Sequence, residues 1–377
     1  MLTYINLMTP DDTSDRSSTV SSVTLTSETA FLLQTYLRTV ATWMDLMDHT
    51  CTYQLSIPRF ALSSPLLFHG ICAFTAKHLA LANNCTNRYW DPVAQAHYGS
   101  ALRLLIHALN SHDHSHALTA TILLSSYEIV AALGSEHHRR HFLGLTMLIK
   151  HHGITARSTG IDGANFWVYV RHEIAIALGN GQSLVLNPED WNVFWEEGER
   201  REDVLGNRVL WILARVINLV YGADGQTEAG RVERQRFLNE LEEWRASLSD
   251  TFVGVPYGDA DEDGFRKVYF GVTAAAAAAF WYHVVHILLY TEPTLQDPSY
   301  KPLIQDQAMR ITNIAISNFP DSVKVFGTHG LFFAAKHING LTRKARIWNI
   351  ITDVEARLGY HTRNMVKKLQ DLVEAGL

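Results

Sequence analysis

Between Val268 and Tyr290 lie 23 residues without a single Asp, Glu, Lys or Arg. A helix of that length is long enough to cross a bilayer, so the stretch is either a membrane span or a helix covered by protein on every side. Its content favours the second reading. Thr273, His283 and His286 interrupt it, and six consecutive alanines, Ala274 to Ala279, contribute little transfer energy. No other stretch reads as a second span. The chain must therefore surround one almost wholly apolar helix with others. Its 377 residues, 47% apolar and 19% charged, can bury a core of that size. We read the protein as soluble.

The helices themselves are written in their caps and periods. Residues 1–28 are rich in Ser, Thr and Asp without a sustained period, and read as a disordered leader; helical signals begin at Ser27-Glu28-Thr29. Ser64-Pro65 and Asp91-Pro92 each place a capping side chain before a proline at the first helical position. Ala94, Tyr98, Ala101, Leu102, Leu105 and Leu109 form one apolar stripe. Further helices are predicted over 116–133, stopped by Gly134, over 137–152, stopped by Gly153, and over 165–178, ended by Gly179-Asn180-Gly181. Pro188-Glu189-Asp190 opens a short one. Helices over 201–221 and 231–248 follow, then, beyond the apolar stretch, one opened by Asp297-Pro298 and others over 328–339, 341–358 and 359–374. Alternation of apolar and polar residues is scarce, Leu184 to Leu186 coming nearest. The fold class is all-α: about a dozen helices over residues 29–377, as one body or two closely packed halves. The acidic loop at 254–264 is the best candidate for an internal boundary.

Charge and cysteine content narrow the function. The net charge of −6 lacks the basic footprint that phosphate neutralisation requires, which argues against direct nucleic-acid binding. Cys51, Cys72 and Cys85 give neither a disulfide framework nor a metal pair, and no secretory leader is evident.

Nineteen histidines are the unusual feature. His112, His114 and His116 alternate in a polar loop without a Cys or carboxylate partner at diagnostic spacing, so no metal is expected. His137, His138, Arg139, Arg140 and His141 read as a polar helix face. His283 and His286 share one face of the most apolar helix. Buried imidazoles need partners, so this pair is read first as hydrogen-bonded core and second as the lining of a ligand cavity. Catalytic signatures are missing: Gly181-Gln182-Ser183-Leu184-Val185 lacks the closing glycine of a nucleophile elbow, Gly179 and Gly181 have no third glycine, and neither GxxxxGK[ST] nor HExxH occurs. No catalytic residue, cofactor or metal ligand is assigned.

Several stretches together resemble a known family. Phe31-Leu32-Leu33-Gln34-Thr35-Tyr36-Leu37, Ser63 to Ile71 with Ala73 to Leu79, Tyr98 to Leu109, and Thr119 to Glu128 are similar to successive helices of the fungal-specific transcription factor domain 2. This is the regulatory domain of zinc-cluster transcription factors. His141-Phe142-Leu143-Gly144 resembles its "HLxG" turn, and Trp167 to Ile174 its "WxYxRxDI" helix with His172-Glu173 departing from the pattern. Members of that family normally carry a six-cysteine zinc module that reads DNA, and residues 1–50 contain no cysteine.

The resemblance implies a nuclear (alternatively cytoplasmic) transcriptional regulator that acts through a DNA-binding zinc-cluster partner, its own second copy or a small-molecule effector. Control of a specialised metabolic gene cluster fits the same resemblance. Two alternatives stand beside it. One is a cofactor-independent cyclase or isomerase on the same scaffold, with acid and base drawn from His283, His286, Arg171 and Glu173, the candidate pocket residues. The other is a zinc module encoded upstream of Met1.

Overall fold

The computed structural model describes residues 23–82, 89–111, 116–131, 135–291, 298–317 and 319–375, with side chains described throughout these except at 135–141. The His112 and His114 loop, Cys85, Gly134 and the side chains of the His137 to His141 cluster lie outside the described residues.

Sixteen α-helices form among them. Ser27–Arg38 (α1), Val40–Met44 (α2), Thr52–Leu55 (α3), Ile57–Ala61 (α4) and Pro65–Leu81 (α5) come first. Trp90–Asn110 (α6), Ala117–Ala131 (α7), Ser135–His151 (α8) and Gly160–Asn180 (α9) follow. A 3-10 turn at Pro188–Trp191 precedes Glu202–Tyr221 (α10) and Glu228–Ala246 (α11). Another at Asp250–Phe252 leads into two short strands, Val255–Tyr257 (β1) and Lys267–Tyr269 (β2), and then Thr273–Thr291 (α12). Lys301–Ala315 (α13), Asp321–His337 (α14), Leu341–Leu358 (α15) and Arg363–Glu374 (α16) complete the described chain.

The all-α expectation holds, with thirteen helices of twelve residues or more. The extra three, α2 to α4, are single turns, too short to show a period. One correction concerns the strands. β1 and β2 pair antiparallel, with Val255 opposite Tyr269 and Tyr257 opposite Lys267; β1 lies inside the 254–264 segment read as an irregular acidic loop, and β2 follows it, taking in the first two residues of the uncharged stretch. Three residues per strand are too few for alternation to be visible, and their side chains are mostly exposed.

Local signals explain most helix ends. Thr26 and Thr29 form a reciprocal capping box at the start of α1. The Ser64 hydroxyl accepts from the Leu67 amide, with Pro65 at the first helical position of α5. Gly181, at φ 63°, closes α9 in the left-handed conformation. Asp91 is a second correction: it lies within the first turn of α6 rather than capping it, and its carboxylate accepts from Lys77 Nζ and Gln95 Nε2, each at 2.7 Å.

Among the described residues α5, α7 and α12 lie deepest, thirteen of the fifteen residues of α7 being buried. α5 packs against α1, α4, α6 and α7. α12 packs against α10, α11, α13 and α14, and sixteen of its nineteen residues are buried. α14 joins the two groups by touching α2 and α9 as well as α12 and α13. A main apolar core runs from Leu32 to Leu369, with a small second cluster of Val325, Val354 and Leu358. α10 is also long and apolar enough to cross a membrane, which corrects the expectation of only one such stretch. Its Glu202 and Asp203 in the first turn and Arg208 and Arg215 further along masked this in the sequence. Inside the protein α10 and α12 lie against each other.

Candidate functional site

A concavity beside the central helix begins at the end of α11. Phe237, Leu241 and Trp244 recur at helical spacing and are buried, which turns α11 onto α12. Trp244 is held by its indole N–H, which donates to the Leu205 carbonyl at 3.1 Å, and its ring stacks on Tyr282 with centroids 5.7 Å apart. Arg245 thereby reaches Tyr282 too: Nη1 donates to the Tyr282 hydroxyl at 3.2 Å, and that hydroxyl donates to Glu242 Oε1 at 2.5 Å.

The β1–β2 hairpin forms the opposite wall. Asn313 on α13 and Ser317, two residues past its end, fasten it: the Arg266 amide donates to Asn313 Oδ1 at 2.9 Å and the Val268 amide to Ser317 Oγ at 2.8 Å. Between hairpin, α11, α12 and α13 a cleft of about 420 Å³ remains. This lies within the range of small-molecule sites. Aromatic rings of Trp244, Phe252, Phe270 and Tyr282 line it together with Arg245, His283, Arg310 and Asn313, and no Asp or Glu lines it.

His283 is the most constrained of these groups. Its Nδ1 lies 2.6 Å from Gln307 Oε1, and Gln307 Nε2 faces Asp306 at 3.5 Å, which orients the amide so that its oxygen accepts. The imidazole thus donates from Nδ1. Burial pushes its pKa down to about 3, so it is neutral and Nε2 keeps a lone pair.

A family model described as the fungal specific transcription factor domain matches residues 31–335. The chain belongs to that family. Comparison with curated proteins and with solved structures gives no match. The matched segment of this fungal transcription factor domain includes every residue of the cleft named above.

The four residues singled out from the sequence do not converge on one site. His283 lines the cleft, while His286 does not. His286 Nδ1 is 2.9 Å from the Tyr282 carbonyl and Nε2 3.6 Å from Glu242 Oε1, and burial lowers its pKa. Arg171 is buried on α9, donating to the Met44 carbonyl near Asp45. Burial lowers its pKa to about 10 and raises that of Asp45 to about 7, even though the Tyr53 and Gln54 amides donate to that carboxylate at 2.8 Å each. Only about 60 Å³ of space adjoins Arg171. Glu173, two residues on, faces away from it: its Oε1 accepts from the amides of Val185 and Leu186, the latter at 2.9 Å. Arg171 and Glu173 therefore fasten the α2 end and the 184–186 segment to α9. Residues two apart on a helix are about 200° apart around its axis, so the two do not share a site.

The sequence reading missed Arg245, Arg310 and the aromatic wall. Among the described residues no cluster of three His, Cys, Asp or Glu side chains could hold a metal ion. The one signal of the cleft was the pair of histidines inside an uncharged helix.

Proposed function

We propose that this chain is the regulatory part of a nuclear transcriptional regulator, that it is not an enzyme, and that it answers to a small molecule held in the cleft beside α12. Membership of the fungal transcription factor domain family over residues 31–335 carries this reading. The cleft supports the effector, because it is concave and lined by aromatic rings together with the polar side chains of Arg245, His283, Arg310 and Asn313. The separation of Arg171 and Glu173 from His283 supports the non-enzymatic half, because no acid and base then converge on one substrate position.

Influence on genes would pass through a DNA-binding partner, in keeping with the acidic net charge. The test is to fuse the full chain to a heterologous DNA-binding module in a fungal host and to follow a reporter under that module's operator. Ligand-dependent change in reporter output, altered by filling the cleft with Ala279→Trp, is expected. A reporter that never departs from the module-only level would overturn the regulatory reading.

A further inference from the structure

The chemistry around the cleft selects among effectors more narrowly than its size does. We propose that the cleft binds an aromatic carboxylic acid that also carries a hydroxyl group; this rests on the effector reading above. Three observations converge on that class.

The first is the sign of the charge. Arg245 and Arg310 line the cleft and no carboxylate does. Each guanidinium has one bond to protein, Arg245 to the Tyr282 hydroxyl and Arg310 Nε to Asp306 at 2.7 Å. Five N–H donors per guanidinium leave the others for an anion, and a carboxylate matches their fork. Glu242 and Asp306 balance the two cations from outside the lining, Glu242 through the far side of the Tyr282 hydroxyl. The second is the polarity of the fixed groups. Asn313 spends its oxygen on the Arg266 amide, so its NH2 group remains as a donor to the same anion. His283 spends its N–H on Gln307 and keeps a lone pair on Nε2, an acceptor that a ligand hydroxyl matches. The third is shape. Trp244, Phe252, Phe270 and Tyr282 offer ring faces and edges within about 420 Å³, room for a fused-ring system.

The experiment uses the purified full chain and calorimetric titration with four probes: hydroxynaphthoate, its methyl ester, naphthoate and naphthol. Hydroxynaphthoate is expected to bind best, and the ester and naphthol at least about tenfold more weakly, as loss of a charged hydrogen bond implies. Arg245→Gln and Arg310→Gln should each weaken hydroxynaphthoate about tenfold while leaving the ester unchanged. Arg310 is half exposed, so that variant keeps the fold if Arg245→Gln does not. His283→Leu should abolish the preference for hydroxynaphthoate over naphthoate. Equal affinity for acid and ester, or no heat with any probe from folded protein, overturns the assignment. Binding of the ester or naphthol with no acid preference leaves a cleft effector standing and removes only its class. Acid-selective binding combined with a silent tethered reporter keeps the ligand class and removes the regulatory reading.

Discussion

The guanidinium of Arg234 on α11 closes the end of α12, donating from Nη1 to the Leu289 carbonyl at 2.9 Å. It also reaches Leu288 O at 3.4 Å and, from Nη2, Gly225 O at 3.2 Å. The two leucine carbonyls belong to the last turn of α12, which a helix leaves without intrahelical partners and which carries the negative end of its dipole, while Gly225 lies in the loop before α11. A buried arginine with several carbonyl acceptors thus replaces a glycine stop. Arg234→Met keeps the stem and removes the donors, so about 2–3 kcal/mol of stability is expected to be lost, read as a shift of the urea midpoint. An unchanged midpoint would show that solvent satisfies the α12 end.

Where α14 crosses α12, a glycine lets the backbones approach. A Cβ at Gly330 would sit 2.7 Å from Val284 Cγ2 and closer still to the Phe280 ring. Gly330→Ala is therefore expected to cost about 1–3 kcal/mol by overpacking, against the usual gain from alanine in a helix. Gly144 on α8 has nothing within 4 Å of the same position, and Gly144→Ala is expected to stabilise by up to about 1 kcal/mol. Thermal melts of both variants decide it: two alanines that raise the midpoint together would mean that α12 and α14 are not in contact there.

The contrast between those two glycines shows what a sequence exposes. α15 is readable to the residue, Leu341–Leu358, because it lies between Gly340 and Gly359, both at positive φ. α9 starts at Gly160 rather than Asn165, since its first turn contains Gly160 and Gly163, residues that a local reading assigns to a loop. Burial of α12 was legible from its missing charges together with Thr273, His283, His286 and the alanine run, which set it apart from a membrane span. Its partner α10 was less so, because Arg208 and Arg215 extend over the Trp195 and Trp211 rings and look like surface charges in one dimension.

The candidate site was legible only through His283. Arg245 stands in Glu-Leu-Glu-Glu-Trp-Arg, where any local reading sees a solvated helix end. What makes it a lining residue is the hairpin across from it, and the hairpin is held by long-range bonds from Asn313 and Ser317 rather than by strand propensity. Arg171 and Glu173 looked like a functional pair by proximity in sequence. Helical geometry separates them, and each binds backbone groups of a different segment, Arg171 the Met44 carbonyl and Glu173 the Val185 and Leu186 amides.

Dependence of the cleft wall on α13 gives its own expectation. Asn313→Ala removes the acceptor for the Arg266 amide while leaving β1–β2 pairing intact. Loss of one hydrogen bond of about 1 kcal/mol should raise hydrogen exchange at Arg266 about fivefold. The amides of α12, deep in the core, should be unaffected. Exchange at Arg266 that matches the native rate would show the hairpin to be self-supporting.

Glu173 makes stability fall with pH. Burial raises its pKa from 4.5 to about 7, more than the Leu186 and Val185 amides and the Tyr169 hydroxyl can offset. Between about pH 4.5 and 7 the folded state then keeps a proton that the unfolded state has released. Folding takes up protons in that window, so this group's contribution declines as pH rises through it, by about 1.4 kcal/mol per pH unit and about 3 kcal/mol in all. Glu173→Gln cannot ionise and can still accept from both amides. Its stability relative to the native chain should climb from about pH 4.5 to 7 and level off on either side. Asp45, whose pKa is raised to about 7 by burial as well, titrates in both proteins and cancels from the difference. Urea denaturation of the two proteins at matched pH values measures the gap, and a gap that stays flat from about pH 4 to 8 would mean that Glu173 is ionised in the fold at the same pH as in the open chain.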